Sequence, residues 1–204
     1  MLREFLNRLV GKKSEDPTGS LPVEQFTIKG FPVAVVNERP DIATADALVR
    51  LEQALTLIQR LAPERFHWLT QDLAEIWVKR FPCRAAFYPE PSACLVELTF
   101  LVNPRHTAAE VASSIVHEGV HARVAHGRLG RPDDKAAEER LCREAELEFG
   151  LALTGEPGAE VVVNRARQSL LLADQEVAPE IDWSEAARRV ADADRSAGGQ
   201  GPAA

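Results

Sequence analysis

From Val23 the chain alternates apolar and polar positions through Phe26 and Ile28, then turns near Gly30-Phe31-Pro32 and resumes as Val33 to Val36. This pattern predicts a short antiparallel strand pair. Between Asp41 and Arg60, Leu48, Leu51, Leu55 and Ile58 recur at three and four residues, the spacing of an amphipathic helix. Pro63 suits the first turn of a second helix, which carries Phe66, Leu69, Leu73, Ile76 and Trp77 and stops before Pro82. Pro89 and Pro91 then break the pattern. The apolar run from Ala93 to Val102 predicts a strand that ends at Asn103-Pro104.

Thr107 and Glu110 have the three-residue spacing of a capping box, so a helix should start there and run to about Ala125. A loop, Gly127 to Asp134, follows, and Asp133 or Asp134 can cap a further helix reaching about Leu153. Gly155 to Gly158 interrupt it, and helical stretches at about 160–174 and 183–195 complete the pattern. The expected fold is α+β and mostly helical, with a small antiparallel sheet whose Ala93–Val102 strand lies beside the helix starting at Thr107. A single domain is expected over 21–195. Residues 1–20 form an amphipathic segment and a linker, GKKSEDPTGS, and 196–204 a tail too simple to fold.

Composition narrows the class. Of 204 residues, 45% are hydrophobic and 27% charged, the balance of a globular chain able to bury its own core. A net charge of −7 leaves no basic stripe for nucleic acid. No apolar run approaches the roughly 18 residues that span a bilayer, and the N-terminus has no secretory signal pattern. Leu2, Phe5, Leu6, Leu9 and Val10 share one helical stripe, which reads as a helix docked on its own domain or a partner; peripheral membrane contact through residues 1–13 is the alternative. Cys83, Cys94 and Cys142 match no metal-ribbon spacing and read as reduced thiols of a cytoplasmic protein, although Cys83 and Cys94 could meet across a hairpin.

Chemistry concentrates in His117-Glu118-Gly119-Val120-His121, an H-E-x-x-H pattern inside a nearly apolar helix. Four residues make about one turn, so both imidazoles project the same way and can share one ion. Zinc suits imidazole nitrogen and tetrahedral angles. Glu118, offset by about 100°, flanks the metal and can take a proton from a zinc-bound water. Gly119 in mid-helix costs about 1 kcal/mol relative to alanine, which close packing of a strand would explain.

Through this motif the chain resembles the zincins, the metallopeptidase-like group built on H-E-x-x-H, over roughly residues 93–153. It also looks like a group of uncharacterised bacterial proteins reading V-H-E-x-x-H-A-R followed by E-x-x-C-x-x-x-E-x-x-F. Here these are Val116 to Arg123, then Glu139, Cys142, Glu146 and Phe149. Position 127 is Gly and the one methionine is Met1, so the metzincin pattern does not apply. The gluzincin-like pattern implies a glutamate ligand from the following helix.

A helical wheel ranks the candidates. Leu141, Cys142, Ala145, Phe149 and Ala152 mark the buried face, Glu138 sits in its middle, and Glu139 and Glu146 share a shoulder. Glu144 and Glu148 point to solvent. Glu139 is the expected third ligand, Glu146 a group orienting a ligand histidine, and Glu138 the alternative ligand. Cys142 reads as packing, His126 as a helix-end cation, and His67, Trp68 and Trp77 as core. Arg123, Arg140 and Arg143 are the groups left to steady an oxyanion, since the one tyrosine, Tyr88, lies upstream of the motif. The resemblance implies zinc-dependent hydrolysis of a peptide or amide, with a peptide or protein substrate along the Ala93–Val102 strand edge. The alternative is a metal-binding or interaction domain that keeps such a site without turnover.

Overall fold

The computed structural model describes residues 23–130, 132, 134–178 and 182–198. The expectations for residues 1–20 and for 199–204 lie outside them, while Ser196 to Gly198, expected in the tail, are helical. The fold is α+β. Its sheet has strands β1 (Glu24–Ile28), β2 (Phe31–Val36), β3 (Glu75–Lys79), β4 (Ala85–Tyr88) and β5 (Ala93–Glu97), in the order β1-β2-β3-β5-β4. The helices are α1 (Thr44–Leu61), α2 (Pro63–Asp72), α3 (Leu98–Val102), α4 (Ala108–Ala125), α5 (Lys135–Ala152), α6 (Ala159–Leu170), α7 (Asp174–Val177) and α8 (Trp183–Gly198).

β1 and β2 form the predicted antiparallel hairpin, with Phe26 opposite Val33. The sheet as a whole is mixed, which corrects the antiparallel expectation. β2, β3 and β5 run parallel, and the outer strand β4 is antiparallel to β5. α1 and α2 form the crossover that two parallel neighbours require.

The predicted second helix, running through Trp77, is also corrected. α2 ends at Asp72, and Ile76, Trp77 and Val78 belong to β3, each fully buried. A parallel strand covered on both faces reads as a continuous apolar run, and over a few residues such a run fits helical spacing equally well. The strand expected over Ala93–Val102 stops at Glu97. There the Glu97 carboxylate accepts a hydrogen bond from the Phe100 amide at 2.7 Å and turns the chain into α3.

α4 is the central helix. Thr107 and Glu110 cap it reciprocally, as the spacing predicts. It packs against α1, α2, α5, β4 and β5, and this enclosure explains why it is apolar almost all round. Gly119 is explained by close packing, though against a helix and not the expected strand. A Cβ there would collide with the Leu69 side chain of α2. α5 begins on the Asp134 cap, whose carboxylate accepts from the Ala137 amide at 2.8 Å, and lies along α4. Cys83, Cys94 and Cys142 are free thiols. Among the described residues, no helix is long and apolar enough to cross a membrane.

Candidate metal centre

α4 and α5 bring the H-E-x-x-H histidines against three glutamates. A carboxylate can only accept a hydrogen bond, so each histidine bonded to one through Nδ1 must carry its proton there. His117 donates from Nδ1 to Glu146 Oε1 at 2.9 Å, and His121 from Nδ1 to Glu138 Oε1 at 2.6 Å. Both Nε2 atoms are thereby turned to a common point, 3.2 Å apart. Glu139 approaches the same point, with Oε2 3.4 Å from His117 Nε2 and Oε1 3.5 Å from His121 Nε2. Two ligands of a tetrahedral zinc, each at about 2.0–2.1 Å, stand about 3.3–3.4 Å apart. The two Nε2 atoms, and each of them with one Glu139 oxygen, therefore stand at about the spacing of tetrahedral zinc ligands.

Glu139, the expected third ligand, thus lies beside both Nε2 atoms, and Glu146, expected to orient a ligand histidine, bonds Nδ1 of His117. Glu138 has the same relation to His121 that Glu146 has to His117, facing Nδ1 and not the shared point. The wheel is corrected in detail. Glu146 is buried, whereas Leu141 and Ala152 are exposed, because α6 covers the Glu146 side of α5. Glu144 and Glu148 are exposed as expected, and Glu148 pairs with Arg65.

Cys142 was read as packing alone, and the structure also brings its thiol to the two histidines. Its Sγ lies 3.6 Å from His121 Nε2, and the donor atoms of His117, His121 and Cys142 all fall within 4.8 Å of one another. A nitrogen and a sulfur ligand on one tetrahedral zinc also stand about 3.6 Å apart. The wheel held the signal, since Cys142 follows Glu138 by four residues and shares its stripe.

The electrostatics follow from burial and pairing. Burial works against charge on His117 and His121, yet their glutamate partners override it and raise both histidines above their ordinary value. Glu139 and Glu146, also opposed by burial, are held low chiefly by their bonds to the histidines. Glu118 is different. Buried, and making no hydrogen bond among the described residues, it is raised above its ordinary value by burial itself, against the pull of His117 and His121. Burial likewise raises the Cys142 thiol, with His117 pulling the other way.

The site opens into a cleft of about 1130 Å³, lined by His117, Glu118, His121, Glu139, residues 84–87 and side chains of α5 and α6. β5 does not border this space as an edge, because β3 and β4 pair with it on both sides. The outer strand is β4. Among the proposed oxyanion groups, Arg143 alone lines the cleft. Arg123 stacks on Trp68, 4.1 Å from the ring centre, and pairs with buried Asp72, while Arg140 bonds Asp174 and the Leu170 carbonyl. Tyr88 packs against Trp77. His126 ends α4 as expected, with Nε2 3.0 Å from Ser92 Oγ. His67 is exposed and Trp68 half-buried, so of the three aromatics read as core only Trp77 is fully buried. Arg84 and Arg165, also in the cleft, carried no sequence signal. Comparisons of the chain with protein-family models, curated proteins and solved structures found no match, so the site is read from its geometry.

Proposed function

We propose that this protein is a zinc-dependent hydrolase of peptide or amide bonds, with His117, His121 and Glu139 as metal ligands and Glu118 as the proton carrier. The observation that carries the reading is the convergence of both Nε2 atoms and the Glu139 carboxylate at tetrahedral spacing, with each Nδ1 held by its own carboxylate. Zinc held there would polarise a carbonyl and acidify a water. Glu118 stands beside the histidines with its carboxyl raised by burial, a state suited to taking a proton at one step and returning it at the next. Glu138 and Glu146 keep the imidazoles in one tautomer and orientation. An extended substrate can add itself to the outer edge of β4, where residues 85–87 border the cleft.

Cys142 favours a second reading. Its thiol groups with the two histidines; if the thiolate and Glu139 both join them, four protein donors close the shell, as in structural sites, and the domain binds metal without turnover.

Metal analysis and peptide cleavage separate the two. Protein purified without chelator should hold about one zinc per chain, lost in His117→Ala and His121→Ala. Glu118→Gln should keep the zinc and lose peptide hydrolysis, because an amide cannot accept the proton. Stoichiometric zinc in the double histidine variant refutes the site. Zinc without hydrolysis of any peptide pool leaves the closed-shell reading.

A further inference from the structure

Three arginines from three elements line the cleft that holds the motif histidines: Arg84 just before β4, Arg143 on α5 and Arg165 on α6. Glu146 answers two of them, 2.8 Å from Arg143 Nη1 and 3.4 Å from Arg165 Nη2, but it also carries the His117 contact. Arg84 has no carboxylate at ion-pair distance among the described residues; its guanidinium lies over the Phe100 ring at 5.2 Å. The three charges press on one another. Arg84 is held below its ordinary value by partial burial first and by Arg165 next, with Arg143 adding to the effect and Glu110 and Glu146 pulling the other way.

Donors are also left over. Arg143 Nε and both Nε and Nη1 of Arg165 are buried without a hydrogen-bond partner among the described residues. Buried polar groups are rarely left so, and each such exception calls for an explanation, a bound ion or water among them. The side chains of Arg143 and Arg165 keep 26% and 24% exposure, so both reach the cleft. A guanidinium presents a planar fork that matches a carboxylate in two parallel hydrogen bonds.

We infer that Arg84, Arg143 and Arg165 form a subsite for a substrate carboxylate, making the protein selective for acidic peptides. This rests on the hydrolase reading for what happens next, though not for the binding itself. Arg84 immediately precedes the outer strand β4, so a peptide laid along that edge brings an acidic side chain or its own C-terminal carboxylate to the three cations. The two sources of carboxylate differ in where the chain must end, and the experiment tells them apart.

Four labelled peptides of one backbone sequence serve as probes: glutamate or glutamine at one internal position, each with a free C-terminal carboxylate or an amide. Their affinities are measured by fluorescence anisotropy on the zinc-loaded full chain carrying Glu118→Gln, which blocks turnover. The subsite predicts at least about tenfold tighter binding of one acidic form over its neutral partner, the gain expected of a charge-assisted hydrogen bond. The arm that responds identifies a side-chain or terminal carboxylate. Arg84→Met, which touches neither Glu146 nor a zinc ligand, should remove most of that preference, and Arg84→Lys should restore part of it. A carboxylate bound directly to zinc would keep its preference in Arg84→Met and would overturn the subsite. Equal binding of all four peptides would overturn it as well. Acidic preference without turnover by the unchanged protein removes the hydrolase reading and leaves the subsite; turnover without preference does the reverse.

Discussion

Replacing Glu139 by alanine tests the ligand assignment most directly. Its carboxylate lies 3.4 and 3.5 Å from the two Nε2 atoms, while Glu138 and Glu146 bond the opposite ring nitrogens. Structural zinc in small folded sites is worth about 10–16 kcal/mol, so removing one of three protein donors should cost about 3–5 kcal/mol, more than two orders of magnitude in affinity. Glu138→Ala leaves all three donors in place but frees the His121 ring, and loss of such an orienting partner costs about 10–100-fold. With its side chain 28% exposed, Glu138 can be replaced in part by water, which places its loss at the lower end. Glu146→Ala should lose zinc within the same range and also destabilise the fold, because Arg143 and Arg165 lose their shared carboxylate. Competitive zinc titration against a chromophoric chelator reads all three variants, with Cys142→Ser as the fourth. The expected order of loss is Glu139, then Glu146, then Glu138. A loss at Cys142 larger than at Glu139 would refute the three-ligand shell, and equal losses at Glu138 and Glu139 would refute the separation of ligand from orienting group.

Two further outcomes follow from the same geometry. In the zinc-free protein, His117 and His121 are raised above their unfolded value of 6.5, so their stabilisation is complete below pH 6.5 and lost as pH rises through the raised values. Glu118, raised from 4.5 by burial, acts in the same direction, whereas Glu139 and Glu146 are lowered and their contribution is lost as pH falls below 4.5. Zinc requires neutral histidines and gains affinity with pH. The gap in Tm between zinc-loaded and zinc-free protein should therefore widen on raising the pH above 6.5, and a constant gap across that range would contradict the proton–zinc competition. Gly119→Ala should destabilise the fold by no more than about 1 kcal/mol, because displacing the terminal methyl of Leu69 offsets the roughly 1 kcal/mol that alanine gains in a free helix. Denaturant unfolding measures it, and a stabilised variant would show that α2 yields easily at this contact.

Local pattern was enough to read α1, α4, α5 and the β1–β2 hairpin, because their signals act over a few residues. Apolar spacing of three and four sets a helical face, Thr107 and Glu110 cap each other across one turn, and Asp134 caps α5. The histidine pair was legible for the same reason, since one helical turn fixes the relation of His117 to His121. β3 was not legible, because burial on both faces erases the alternation that marks a strand. β4, four half-buried residues among prolines, carried no pattern of its own, yet it forms the edge along the cleft. The roles of the glutamates also lay beyond the wheel. It orders directions around α5 but cannot say at what height or roll α5 meets α4, and that docking decides that Glu139 faces Nε2 while Glu138 and Glu146 face Nδ1. The same docking brings Cys142 to within 3.6 Å of His121 Nε2. Arg84 and Arg165 are 81 residues apart in sequence, and only packing of α6 and β4 around one cleft could make them neighbours of the histidines.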